Sequence, residues 1–152
     1  MKAMETAKLE IKVGIQILKP ASEVFEAIVA PEKMANYFIE KGSGKMEAGK
    51  TVTWKFPEFE ELSEIEVIKA EKDKNVSFYW EIDGKKMLVE MHLEQRDSAT
   101  VVRITEKDME NNEAGIKWLK GNTEGWANFL ACLKAYLEYG INLRKGAFDF
   151  MF

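Results

Sequence analysis

Eight consecutive residues, GKMEAGKT from Gly44 to Thr51, match a phosphate-cradling loop: glycine, any four residues, glycine, lysine, then serine or threonine. Such a loop holds a nucleotide only where it leaves a buried strand and opens a helix whose first amides face the phosphates. Neither neighbour fits. Tyr37 to Ile39 upstream is too short for a central strand, and TVTWKFP downstream is an alternating, β-branched run that meets Pro57. No separate apolar run ends in an aspartate to hold magnesium. The stretch therefore reads as a β-turn over Glu47, Ala48 and Gly49 that feeds a strand.

Other reactive side chains are few. One histidine and one cysteine exclude a His/Cys zinc site, and no metal or cofactor is expected. His92 alternates with Met91 and Leu93, and Arg103 with Val102 and Ile104, which puts both on the outer face of their strands. From there His92 does not reach a substrate proton, and Arg103 reads as a partner in cross-strand charge pairs. Cys132 reads as a small buried helix residue. No Ser/His/Asp or Cys/His set can be assembled, so no catalytic residue is assigned. The acidic run Glu58, Glu60, Glu61, Glu64 and Glu66 reads as a solvated face that discourages edge pairing.

The elements around these residues follow from period. KLEIKVGIQILK places Leu9, Ile11, Val13, Ile15 and Ile17 on one strand face. After Pro20, an N-cap at Ser22 opens a short helix with Val24, Phe25, Ile28 and Val29 buried, and Pro31 starts a second with Met34, Tyr37 and Phe38. Strands then alternate through Val52, Trp54 and Phe56; Ile65 and Val67; Val76, Phe78, Trp80 and Ile82; Met87, Val89, Met91 and Leu93; and Val102 and Ile104. Asp83-Gly84 and Asp97-Ser98 mark tight turns. Residues 107–115 read as a loop. A helical turn at Ile116 to Leu119 breaks at Gly121, and a long helix runs from 123 to 143 after an Asn122 or Thr123 cap. The fold class is α+β.

Length bounds this to one domain, residues 1–152, with a core over about 9–140 and an aromatic tail over 144–152. The formal charge of −4, without a basic block, excludes nucleic acid as a partner. MKAMETAKLEIKVG interrupts its apolar residues with charges, so neither a leader nor stable membrane insertion is expected. A single cysteine suits a cytoplasmic, reducing location. In the tail, Phe148, Phe150 and Phe152 alternate, and are expected to pack back over this domain or join a second copy as a homodimer.

Three stretches together, KPASEVFEAIVAPEKMANYF, GKMEAGKTVTWKF and GWANFLACLKAYLE, resemble the SRPBCC superfamily, also called START-like or Bet v 1-like. Within it they look most like homologues of the activator of heat-shock-protein-90 ATPase. The resemblance implies a helix-grip fold: a curved antiparallel sheet of about six or seven strands around a long C-terminal helix, with two short helices after the first strand. It also implies an elongated cavity for a hydrophobic small molecule or lipid between sheet and helix. The residues placed there are Trp54, Phe56, Phe78, Trp80, Val89, Met91, Trp126, Phe129 and Leu133; they line a pocket or simply fill a core. A non-enzymatic binding protein is the first reading. A polyketide cyclase or aromatase, needing His92, Arg103 or Tyr79 to face inward, is the second. The third is a cochaperone-like module with a chaperone partner, although the family's cochaperones add an N-terminal domain rich in Asn, Trp and His that these residues do not contain.

Overall fold

The computed structural model describes residues 7–151; residues 1–6, where the N-terminal segment begins, and Phe152 lie outside the described residues. Strand β1 (Leu9–Ile17) leads to helices α1 (Ala21–Val29) and α2 (Pro31–Met34). Strands β2 (Lys41–Gly42), β3 (Thr51–Lys55), β4 (Leu62–Glu71), β5 (Asn75–Ile82), β6 (Lys85–Arg96) and β7 (Ala99–Met109) follow, then helix α3 (Glu113–Tyr139). All seven strands form one antiparallel sheet in the order β1-β7-β6-β5-β4-β3-β2, so the first and last strands pair. The architecture is the α+β helix grip that the sequence implies.

The alternation determines which face is buried. Ile11 and Ile17 of β1, Ile65 and Val67 of β4, Phe78 of β5, Met87, Val89 and Met91 of β6, and Val102 and Ile104 of β7 point into one core. Asp83-Gly84 closes its hairpin at positive φ, 48° and 81°, between paired Ile82 and Lys85. GKMEAGKT is a turn: the Lys50 amide donates to the Glu47 carbonyl at 3.0 Å, Gly49 takes φ 85°, and β3 begins at Thr51. No helix follows it.

Several boundaries differ from the sequence reading, and α2 ends at Met34, before the Tyr37 and Phe38 expected on its buried stripe. Helix α1 starts at Ala21 with Pro20 as its N-cap rather than Ser22, and a distant side chain caps it: Gln95 Oε1 accepts from the Ala21 amide at 2.7 Å. At its other end, orphan carbonyls are satisfied from outside, Ala27 by the Tyr37 hydroxyl at 2.7 Å and Val29 by the Met46 amide at 3.0 Å. Strand β7 runs on to Met109, so the first third of the expected loop is strand. Helix α3 is continuous through Gly121 over 27 residues, starting ten residues earlier and ending four earlier than expected. Its cap is Asn112, whose Oδ1 accepts from the Gly115 amide at 2.8 Å. A helix this long spans about 40 Å, and it meets the sheet mainly along β1. Seated toward that edge, α3 leaves the inner face of β3, β4 and β5 to other side chains.

Candidate functional site

On that uncovered side lies an open pocket of about 480 Å³. The sheet supplies Ser63, Trp80 and Ile82, with Phe56 directly after β3; the segment after α2 supplies Tyr37 and Phe38; α3 supplies Gly121, Asn122, Gly125, Trp126, Asn128, Phe129 and Cys132. The aromatic rings buttress one another. Phe38 sits 4.7 Å from Phe129, 5.1 Å from Phe56 and 6.2 Å from Trp126 by ring centroid, and Trp80 lies 5.4 Å from Trp126. On the helix side, the wall is opened by absence. A Cβ added at Gly121 or at Gly125 would meet no atom within 4 Å. Their i, i+4 spacing puts both on one helix face, so two missing side chains widen the pocket where the helix borders it.

Behind the aromatic wall is a carboxyl group that sequence reasoning overlooked. Glu106 is fully buried on β7, next in the inward alternation after Val102 and Ile104. Its Oε2 accepts from Trp80 Nε1 at 2.8 Å, and its Oε1 from Trp126 Nε1 at 2.9 Å and Asn122 Nδ2 at 3.3 Å. A polar group removed from water must be hydrogen-bonded, and here three N–H donors do this without a cation among them. The consequence is geometric: one carboxyl clamps an indole from the sheet to an indole from the helix. No described residue accepts from the indoles of Trp54 or Trp118. The signal was available, since continuing the β7 alternation by two residues reaches Glu106.

The expected site residues divide into two groups. Phe56, Trp80, Trp126 and Phe129 stand in the pocket wall. Trp54, Phe78, Val89, Met91 and Leu133 are at most 1% exposed, in the closed core; of these Trp54 backs the wall, 6.4 Å from both Phe56 and Trp80. His92 and Arg103 face outward and are exposed. Arg103 donates to Glu94 at 2.6 Å, and hydrogen bonds from Arg96 and then Arg103 pull the Glu94 carboxyl down to about 2. Tyr79 is half-buried on the outer face, with the Lys86 ammonium 5.6 Å from its ring centroid. Cys132 is buried, and burial raises its thiol above the usual range. Among the described residues, no group of three or more His, Cys, Asp or Glu side chains could hold a metal ion.

Glu58 departs from the acidic run. Glu60, Glu61 and Glu64 are exposed as expected, whereas Glu58 forms a two-pronged ion pair with Arg144 at the pocket rim.

The family model described as Activator of Hsp90 ATPase homolog 1-like protein matches residues 19–138. The chain belongs to that family. The match takes in the pocket residues on the sheet and on α3, and it stops just before Arg144. Among solved structures, the chain is 33% identical to a protein from Staphylococcus saprophyticus, over 89% of this chain and 96% of that one, with a TM-score of 0.79. Two further neighbours show the fold alone. The Aha1 dimer from Colwellia psychrerythraea is 21% identical over 87% of this chain and 98% of its own, with a TM-score of 0.75. A putative protein of the dynemicin biosynthetic locus is 24% identical over 87% of this chain and 48% of its own, with a TM-score of 0.77. A search of curated proteins found no match. Membership in the Activator of Hsp90 ATPase homolog 1-like family places the chain in the SRPBCC superfamily, on the branch its sequence resembles.

Proposed function

We propose that the protein is a small, non-enzymatic binding protein that holds a hydrophobic small molecule or lipid in the pocket between β3–β5 and α3. One observation carries this reading: two glycines, each unfavourable inside a helix, border the pocket where a side chain would find open space. The volume lies within the usual range for ligand sites, roughly 300–1,000 Å³. Affinity comes from removing apolar surface from water, at about 25 cal/mol per Å² before ordering costs, and selectivity from shape. Phe56, Trp80, Trp126 and Phe129 are the contact residues, with Trp54, Phe78, Val89, Met91 and Leu133 as their packed support.

The cyclase reading gains no support from the polar groups it needs, because His92, Arg103 and Tyr79 lie on the outer face. A cytoplasmic location fits the single cysteine and the lack, among the described residues, of a helix long and apolar enough to cross a membrane. The tail is the segment that would join two copies. Phe148 packs back on Arg144, whereas Phe150 is 83% exposed and free to meet a second chain.

The test is titration with the neutral apolar fluorophore N-phenyl-1-naphthylamine. Wild type takes it up, and Gly125→Leu, which fills the pocket from the helix side, binds it at least about tenfold more weakly, the effect of roughly 1.4 kcal/mol. Equal binding by both proteins, with Gly125→Leu folded, would place the ligand elsewhere.

A further inference from the structure

After Tyr139 the chain turns back across the molecule. Gly140 takes φ 67°, its amide donates to Tyr136 at 2.9 Å, and the Ile141 amide donates to Ala135 at 3.3 Å. Short turns carry the following residues over the pocket mouth. The Lys145 amide donates to Asn142 Oδ1 at 3.0 Å, and the Ala147 amide to the Arg144 carbonyl at 2.9 Å. Arg144, Phe148 and Met151 from this segment join the pocket wall.

Among the described residues, one ion pair ties the segment to the sheet side. Arg144 Nη1 donates to Glu58 Oε2 at 2.9 Å and Nη2 to Oε1 at 2.8 Å, linking the tail to the β3–β4 connection. The two side chains keep only 16% and 10% exposure, and the guanidinium lies 5.9 Å from the Phe56 ring centroid and 5.2 Å from that of Phe148. A forked, partly dehydrated pair of this kind is among the stronger polar contacts available to a surface segment. The hydrogen bond from Arg144 holds the Glu58 carboxyl below its usual range. The rest of the tail is loosely held: Ile141, Leu143, Phe150 and Met151 are each more than half exposed. Segments with so little buried apolar contact open locally at low cost.

We propose that residues 141–151 form a strap across the pocket and that Glu58–Arg144 is its latch, so that parting this pair is the step that admits a ligand. The proposal rests on the pocket being a binding site, yet opening can be measured without a ligand. Cys132, the chain's one cysteine, is 5% exposed and shares the pocket wall with Arg144 and Phe148. Its rate of alkylation therefore reports access. Burial raises the thiol and the Arg144 charge partly offsets this; removing that charge would by itself slow labelling, so acceleration reads opening.

The experiment follows modification of Cys132 by neutral N-phenylmaleimide, by intact mass, in wild type, R144K, R144A and a chain ending at Gly140. Circular dichroism confirms the fold of each. R144A labels about tenfold faster or more, as expected for losing a charged hydrogen-bonded pair. R144K, which keeps the charge without the planar fork, falls between, and the shortened chain is fastest. Raising salt to about 1 M accelerates wild type but not R144A. The association rate of N-phenyl-1-naphthylamine rises in the same order. Equal labelling of folded wild type, R144K and R144A overturns the latch, whether or not the shortened chain folds. Labelling in the stated order, with no uptake of the naphthylamine by any variant, leaves the strap standing and sinks the binding reading instead.

Discussion

Glu106 shows how one side chain can set the form of a pocket it does not itself line. Its two oxygens receive Trp80, Trp126 and Asn122, three groups that do line it. Glu106→Gln replaces one acceptor oxygen with an amide that meets an N–H donor. It should lower stability by about 1–3 kcal/mol, the usual cost of an unpaired buried polar group, read from urea unfolding with a change in tryptophan emission. Tyr37 permits a prediction of pH dependence. Burial, and then the neighbouring Tyr136, raise its phenol well above the usual value of 10.0. A raised folded value means that its contribution to stability is complete below the unfolded value and disappears as pH climbs through the folded one. Stability should therefore fall in alkali above pH 10.0, and Tyr37→Phe, though weaker at neutral pH for want of the bond to Ala27, should show a flatter alkaline decline.

At the scale of elements, helix α3 carries glycines with opposite meanings. At Gly115 an added Cβ would lie 1.8 Å from the Glu110 carbonyl oxygen, because the chain leaving β7 passes directly over the helix start. Gly115→Ala should cost at least about 3 kcal/mol, since a backbone atom cannot step aside. Gly121→Ala and Gly125→Ala should each stabilise by up to roughly 1 kcal/mol, since the helix gains propensity and nothing clashes; thermal melts compare the three. The sequence reading broke α3 at Gly121 because glycine normally punctuates a helix. That glycine interrupts the side-chain pattern only, and the backbone continues through it. The strands were legible because period two with one buried face leaves little freedom. The α1 cap was not, because Gln95 lies 74 residues from Ala21 and only the folded sheet brings them together.

Across the whole molecule, the pocket follows from where the long helix lies. Packed along β1, α3 leaves β3, β4 and β5 partly uncovered, and aromatic residues wall that gap without closing it. Sequence pattern could identify the inward residues but could not separate pocket from core. Trp54 and Trp80 have the same strand-face logic, yet one is sealed and the other borders open space. The difference lies in the seating of the helix and in the tail, neither of which has a periodic signature. Glu58 makes the same point: within an acidic run it looks solvated, and only its contact with Arg144, 86 residues away, distinguishes it. Native mass spectrometry of freshly purified protein, followed by extraction and identification of whatever is released, tests the central claim most directly. A discrete added mass is expected, one that proves apolar on extraction and is absent from Gly125→Leu. Protein that emerges at its bare mass, and that also takes up no apolar probe, would contradict it.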